Sequence, residues 1–374
     1  MAGIYIHIPF CKQACHYCDF HFSTSLKRKE ELITSICTEI RLRKDEISDP
    51  IKTIYFGGGT PSLLETDEIK LIIEEVYKNF EVENNIEVTL EANPDDLTKG
   101  KFLELSKTQI NRLSIGIQSF FEEDLKLMNR AHNAKEAKEC LENAVQYFDN
   151  ISIDLIYGIP GMNDEQWVEN LNIALSFGVP HISSYALTVE PKTALKKLIE
   201  LGKIPKVSES DSHRQYLILL DKMKKEGFVN YEFSNFGKKG YFSENNTAYW
   251  QGKSYLGLGP SAHSFNGKIR SWNINNNIKY INFIQKNELP IERETLTKTD
   301  RYNEYLMTGL RTMWGVSLKK IRSDFGEVLL TYLMSQAEKS IEDGLLKIEN
   351  DTLLISEKGK FLSDGIASNL FMVE

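Results

Sequence analysis

Three cysteines stand close together near the start of the chain, in the run His7-Ile8-Pro9-Phe10-Cys11-Lys12-Gln13-Ala14-Cys15-His16-Tyr17-Cys18-Asp19-Phe20. Their spacing is C-x3-C-x2-C, with no fourth cysteine nearby. Four-iron clusters normally take four thiolates, one per iron. Three thiolates on one short loop leave one iron without a protein ligand, and an open iron can bind a small chelating molecule. The competing reading is zinc. Structural zinc takes four ligands in spaced pairs, so His7, His16 or His21 would have to complete the set.

Further along, Gly57-Gly58-Gly59-Thr60-Pro61 directly follows a strand-like run. Three glycines let the backbone approach a ligand closely, and no Lys-Ser/Thr follows, so this is not a Walker phosphate loop. Alone, it reads equally as a tight strand-to-helix turn. Glu91, in Leu90-Glu91-Ala92-Asn93-Pro94, is a carboxylate ending an apolar strand, able to accept from ribose hydroxyls. Gln118 ends another strand, and Asp154 sits inside Ile153-Asp154-Leu155, where a carboxylate is costly without a partner. Arg130 follows a helix and reads either as a ligand contact or as a solvated arginine. In the second half, Asn245-Asn246-Thr247-Ala248-Tyr249-Trp250 and Gly257-Leu258-Gly259-Pro260-Ser261-Ala262-His263-Ser264-Phe265 are rich in glycine and aromatics. Their composition favours loops packing on the rest of the fold over a flat apolar ligand site.

The elements that position these residues alternate. Strand patterns at 4–8, 51–56, 86–90, 113–117, 151–156 and 181–187 are separated by helical spacing at 29–47, 69–80, 101–105, 122–128, 135–148 and 164–177. Asn163 or Asp164 is available to cap the last of these. Strands alternating with helices imply right-handed parallel crossovers. Six units are too few for a full eight-stranded barrel, so a curved, open partial barrel is expected. Chemistry in such sheets collects at the C-terminal strand ends, which is where Cys11, the glycine run, Glu91 and Gln118 fall. After about residue 200 the pattern changes. A helix is expected at 211–226, short strands and loops at 229–273, helices at 299–313, 318–325 and 329–343, a hairpin at 345–355 and a last helix at 357–370. Helices followed by a hairpin suggest a winged-helix-like tail. The expected division is 1–200 for the barrel, 201–295 for a connecting segment and 296–374 for a mostly helical tail.

Bulk composition narrows the classes. The 374 residues carry a net charge of −8, with 41% hydrophobic and 26% charged residues. So acidic a chain is not expected to bind nucleic acid, which needs a basic face. No run is long and apolar enough to span a bilayer, and no basic leader with a cleavage site opens the chain. The cytoplasm is the expected compartment. Cys37 and Cys140 are isolated in helical stretches and are expected to pack as small apolar residues rather than to form disulfides.

The motifs Tyr5-x-His7-Ile8-Pro9-Phe10-Cys11-x3-Cys15-x-Tyr17-Cys18, Gly57-Gly58-Gly59-Thr60-Pro61 and Ile153-Asp154-Leu155-Ile156-Tyr157-Gly158-Ile159-Pro160-Gly161 resemble the oxygen-independent coproporphyrinogen III oxidase family of radical S-adenosylmethionine (SAM) proteins. The likeness runs from the first strand to the C-terminal helices. It is closer to the heme-chaperone branch, because the third cysteine continues Cys18-Asp19-Phe20, whereas the oxidases carry a further cysteine at the position of Phe20 and a longer N-terminal extension. The resemblance implies an α/β fold, a partial (βα)6 TIM-like barrel of the radical SAM type. It implies that Cys11, Cys15 and Cys18 bind a [4Fe–4S] cluster with SAM on the fourth iron. Tyr5, Tyr17, Gly58, Gly59, Thr60, Glu91, Gln118, Arg130 and Asp154 match SAM-contacting positions. The chaperone branch also has a His-Asn-x-x-Tyr-Trp motif linked with heme. Here Asn245 replaces the histidine and cannot ligate iron as imidazole does, which leaves His263 or Tyr249 as substitutes. The implied activity is binding heme and passing it to an acceptor apoprotein such as a heme-containing respiratory protein, with transient membrane contact. The alternative is oxidative decarboxylation of a porphyrinogen by a SAM-derived radical. Reductive opening of the heme ring and a DNA-binding regulator are the remaining readings.

Overall fold

In the first strand, β1 (Ala2–Ile8), the isoleucines at 4, 6 and 8 are fully buried, and Gly3, Tyr5 and His7 alternate with them. The same two-residue period recurs in β2 (Ile51–Gly58), β3 (Val82–Ala92), β4 (Arg112–Gln118), β5 (Ile151–Tyr157) and β6 (His181–Ala186). One face carries Ile54, Phe56, Val88, Leu90, Leu113, Ile115, Ile153 and Ile182, all inaccessible to solvent. The other carries Thr53, Tyr55, Glu87, Thr89, Glu91, Arg112, Ser114, Ser152, Asp154, His181 and Ser183, and the parallel registers keep these residues side by side. Alternation of this kind gives a sheet two chemically distinct faces.

A computed structural model describes residues 2–373. β1 to β6 lie in consecutive order, all parallel. Right-handed crossovers between consecutive strands place every connecting helix on the same side. The apolar face therefore packs on helices such as Lys29–Leu42, Thr66–Asn79 and Ala134–Tyr147. The polar face turns inward and becomes the lining of a lumen. The barrel does not close, because β1 and β6 each pair with another strand instead of with one another.

Those neighbours form two wings. Beyond β6 lie β8 (Asn235–Gly237) and β7 (Val229–Glu232), both antiparallel. Beyond β1 lie β9 (Tyr255–Leu258), which runs parallel to it, and then antiparallel β10 (His263–Phe265), β11 (Ile269–Asn273) and β12 (Ile291–Thr295), completing a twelve-stranded sheet. The short strands expected at 229–273 are present, together with an unexpected helix, Glu244–Trp250. One apolar core runs from Ala2 to Ile284, and a second, from Tyr302 to Leu370, belongs to the C-terminal unit. That unit holds helices Lys298–Leu310 and Glu327–Glu342 and a small sheet of β13 (Val316–Ser317), β14 (Leu346–Glu349) and β15 (Thr352–Ile355). Its hairpin turns through Asn350 and Asp351 at positive φ.

Some boundaries differ from the sequence reading. The helix expected to reach residue 47 ends at Leu42, where the C-cap residue Arg43 leaves helical geometry at φ −111°. The helix expected at 318–325 starts as α and finishes as a π-helical turn, Ile321–Phe325, stopped by Gly326 at φ 90°. The last helix begins only at Ser363, after a 3-10 turn. Gly359 approaches Leu345 so closely that a Cβ would lie 2.4 Å from its carbonyl oxygen, which fixes a turn there.

The wing beyond β1 is tied to the first helix by polar groups. The Arg43 Nη1 donates to Glu39 Oε1 (2.9 Å) and to the Gly257 carbonyl (2.8 Å), and Nη2 donates to Ser264 Oγ (3.1 Å). Glu39 also accepts from Asn273, Tyr280 and the Gly259 amide. Arg43 and Glu39 are 1% and 0% exposed. Removing one partner strands the other charge in a low dielectric, which typically costs ~3–5 kcal/mol. Arg43→Ala is therefore expected to lower the unfolding free energy of the full chain by a margin of that order, read as an earlier urea midpoint. A midpoint equal to wild type would show that this network does not hold the wing.

Candidate functional site

The cysteine loop leaves β1 at the C-terminal end of the strands and is fastened on both sides. The Cys11 amide donates to the Ser23 carbonyl (3.1 Å), and the His16 amide to the Met128 carbonyl (3.0 Å). Asn129 Nδ2 donates to the Ala14 carbonyl (2.8 Å), while Gln13 Nε2 donates to that of Asn129 (3.0 Å). Lys12 forms ion pairs with Asp95 (2.9 Å) and Asp96. Cys11, Cys15 and Cys18 are all partly exposed free thiols. They lie near enough to oppose one another's ionisation. Burial, first, and the neighbouring cysteines raise the Cys11 thiol and push that of Cys18 up to about 11. Bare thiolates at Cys11 and Cys18 are thus disfavoured, and a cationic ligand would have to stabilise them.

Arg130 is the cation beside them. Its Nη1 donates to Cys15 Sγ (3.4 Å) and to the Tyr17 hydroxyl (3.5 Å), and its Nη2 to Asn93 Oδ1 (2.7 Å) and the Gly116 carbonyl (2.8 Å). The Nε is buried with no partner. Gly116 makes room for this arrangement: a Cβ there would lie 2.9 Å from Gln118 Nε2 and 3.1 Å from Arg130 Nη2. Gln118 ends β4 at φ 66°, which turns its side chain into the same space. Asn93 Nδ2 in turn donates to Thr60 Oγ1 (3.2 Å), and the Thr60 hydroxyl hydrogen-bonds Cys11. Tyr17, Gln118, Arg130, Thr60 and two of the cysteines therefore belong to one connected group.

A second group adjoins it. Gly58, at φ 107°, points its amide at Glu91 Oε2 (3.2 Å), and Tyr55 donates to Glu91 Oε1 (2.7 Å). Tyr5 stacks on Tyr55 with ring centroids 6.1 Å apart and hydrogen-bonds His7 Nδ1 (3.2 Å). Gly59 meets the loop backbone directly: a Cβ would come within 2.6 Å of the Phe10 carbonyl oxygen. Asp154 lies deeper, bonded to Ser183, and shares with Glu91, Tyr55, Arg112 and Ser152 a polar cavity of ≈ 50 Å³. Burial pushes Glu91 up to about 7, with Asp154 adding to the effect, and raises Asp154 to about 6.

All nine residues expected to contact a ligand thus gather at the strand ends or in the lumen just below. Asp154 is not the isolated carboxylate in an apolar strand that its neighbours suggest. It belongs to the polar face, between Ser152 and the Ser183 of the next strand. Sequence reasoning missed Tyr55, Asn93 and Arg112. The period-two polar pattern Thr53-x-Tyr55, Glu87-x-Thr89-x-Glu91, Arg112-x-Ser114 was the available signal for two of them. Asn245 lies against the lumen face at Thr53 and Glu87. It is 1% exposed, on the helix whose first amides (Glu244 and Asn245) donate to Glu87, and its Oδ1 accepts from Thr53 (3.1 Å).

Residues 5–174 match the radical SAM superfamily, and residues 296–362 match the HemN C-terminal domain. The heme chaperone HemW of Bacillus subtilis is 32% identical over 371 residues, spanning 98% of both chains. The chain belongs to the HemW family of radical SAM proteins. HemW of Lactococcus lactis is 30% identical, with 97% of this chain and 95% of the relative covered. The mouse mitochondrial radical S-adenosyl methionine domain-containing protein 1 is 30% identical over 99% of this chain and 87% of its own length. The coproporphyrinogen III oxidase HemN of Escherichia coli superposes with a TM-score of 0.86, covering 99% of this chain and 90% of that one at 20% identity. That likeness establishes the radical SAM α/β fold with its helical C-terminal unit. Membership of the HemW family implies a [4Fe–4S] cluster and SAM. No helix among the described residues is long and apolar enough to cross a membrane.

The raised carboxyls set a pH dependence. Their folded values lie above the ordinary 4.5 and 3.8, so the fold favours the protonated form. That stability is complete in acid and is lost as pH rises to about 7. The groups facing Glu91 are Asp154, Tyr5, Tyr55, Tyr185 and Tyr249 and the Gly58 amide. Without ligand, Glu91→Gln should flatten the loss, gaining on wild type by on the order of 1–3 kcal/mol between pH 5 and 8. Parallel stability–pH curves for the two proteins would contradict this.

Proposed function

We propose that this chain is a cytoplasmic heme chaperone that binds heme and hands it to an acceptor apoprotein, and that its cysteine loop carries a [4Fe–4S] cluster with SAM on the open iron. The observation that carries the reading is the likeness to heme chaperones over 98% of the chain. The residues present fit the cluster. Three neighbouring thiols on one loop are backed by a buried guanidinium whose Nε has no partner among the described residues.

Tyr17, Arg130, Gln118 and Thr60 would orient the amino-acid end of SAM beside the cluster. The Gly58–Gly59 backbone gives close approach. Glu91, opposite Tyr5, would accept from the ribose, and Asp154 would hold the lower wall of the site. When bound, the cluster and SAM supply one-electron chemistry. The chain's own contribution is position, burial and a fixed positive charge. We read residues 1–200 as the barrel, 201–295 as its flanking wings and 296–374 as a winged-helix-like unit, which the helix–strand–helix–hairpin order supports.

Anaerobically reconstituted protein should bind hemin stoichiometrically. Supplied with coproporphyrinogen III, SAM and reductant, it should form no protoporphyrinogen. Formation of protoporphyrinogen would assign an oxidase instead. Cys15→Ala should lose the cluster's visible absorbance and its acid-labile sulfide, and retention of both would remove Cys15 from the ligand set.

A further inference from the structure

The chain has seven histidines. A ring nitrogen of His7, His16, His21, His132 and His181 is hydrogen-bonded within the fold. His213 and His263 are exposed, and among the described residues neither has a ring nitrogen so engaged. His213 lies on the outer helix Glu209–Lys225, its ring 4.5 Å from that of Phe361 in the C-terminal unit. His263 is placed quite differently.

Register puts His263 on the inner face of the β1-side wing. Tyr255 lies opposite Gly3 and Gly257 opposite Tyr5, so β9 carries the lumen face outward past β1. Phe265 pairs with Tyr255 and Arg270, and His263 with Trp272, so these residues continue that same face. The result is a run of aromatic rings leading out from the lumen. Tyr249 meets Tyr255 at 4.5 Å, Tyr255 meets Phe265 at 6.4 Å, and the His263 imidazole lies 5.9 Å from Trp272 at an interplanar angle of 30°.

The opposite face of this wing is the one locked by Arg43 and Glu39. Ser264, next to His263, is buried and bonded to Arg43 and to the Gly257 amide. Gly257 approaches so closely that a Cβ would lie 2.0 Å from the His263 carbonyl oxygen, and a Cβ on Gly259 would lie 2.6 Å from the His7 carbonyl oxygen. The imidazole is therefore a free donor atom on a rigid backing, beside the strand that feeds the cysteine loop.

We propose that His263 is the axial ligand through which this chain holds heme, with the porphyrin lying along the wing face against Trp272. A neutral imidazole is a good ligand for heme iron, and a flat apolar macrocycle gains from contact with aromatic rings. Arg270 is already paired with Glu304 and Glu294, and Glu292 accepts from Trp272, so the outer edge is acidic. The propionates consequently face away from that edge. Asn245 is walled in beneath the lumen residues, and no macrocycle reaches it without displacing its helix. An open surface site with a single protein ligand suits a carrier that must release its cargo.

This inference rests on the heme reading above, and the test separates the two. Cluster-reconstituted full-length wild type, His263→Ala, His263→Met and His213→Ala are titrated with hemin and followed by difference absorbance and EPR. The His263→Ala protein should bind at least about tenfold more weakly and lose the imidazole-ligated signature, which added free imidazole restores. His263→Met should give a different ligand signature, and His213→Ala should match wild type. Unchanged affinity and spectrum in His263→Ala would overturn the assignment of the ligand alone. A wild type that binds no hemin would overturn the heme reading, and this inference with it.

Discussion

The structure depends on one constraint: six parallel strands in consecutive order must put all their helices on one side. The side left over faces inward, so every second residue of each strand lines a lumen. Because that face is polar in every strand, the lumen is a hydrogen-bonding surface and not a packed core. The apolar face alone supplies the main core, through fully buried Ile, Leu, Val and Phe side chains. Position and chemistry are thereby separated. The outward face determines where the strands lie, and the inward face is free to carry Tyr5, Glu91, Arg112 and Asp154.

Placing such groups in the lumen has an electrostatic consequence. Glu91 and Asp154 share one cavity, where burial raises both carboxyls and Asp154 further disfavours the ionisation of Glu91. The positive charge that balances this region comes from Arg130, which also reaches Cys15, and from buried Arg112. Arg130 therefore couples the cysteine loop to the strand ends through Asn93, Gly116 and Tyr17. A loop tied this way on one side, and through Lys12 to Asp95 on the other, is fixed before any ligand arrives. Preorganisation of that kind is what an exposed set of thiols needs to present three sulfurs at once.

Much of this was legible in the sequence. The six parallel strands fall within a few residues of their expected positions, because continuous aliphatic alternation is a strong local signal. The Asn163 cap and the 345–355 hairpin are likewise local, and both are present. The cysteine spacing marked the loop. What could not be read was non-local. β9 joins β1 across some 250 residues of sequence, and nothing in Tyr255–Leu258 announces its partner. The Arg43–Glu39 network, Asn93 beneath Arg130, and the burial of Asn245 depend equally on distant segments meeting. Asp154 is buried at a cost, as its strand suggests, since burial raises its carboxyl, but its partner Ser183 comes from the next strand and could not be read locally.

The central claim is that three thiols leave one iron open to a chelating ligand. EPR of the reduced, reconstituted protein, recorded with and without SAM, tests it most directly. The account expects a [4Fe–4S] signal whose g-values shift when SAM is added. A signal indifferent to SAM, or a protein that takes up zinc and shows no cluster signal at all, would contradict it.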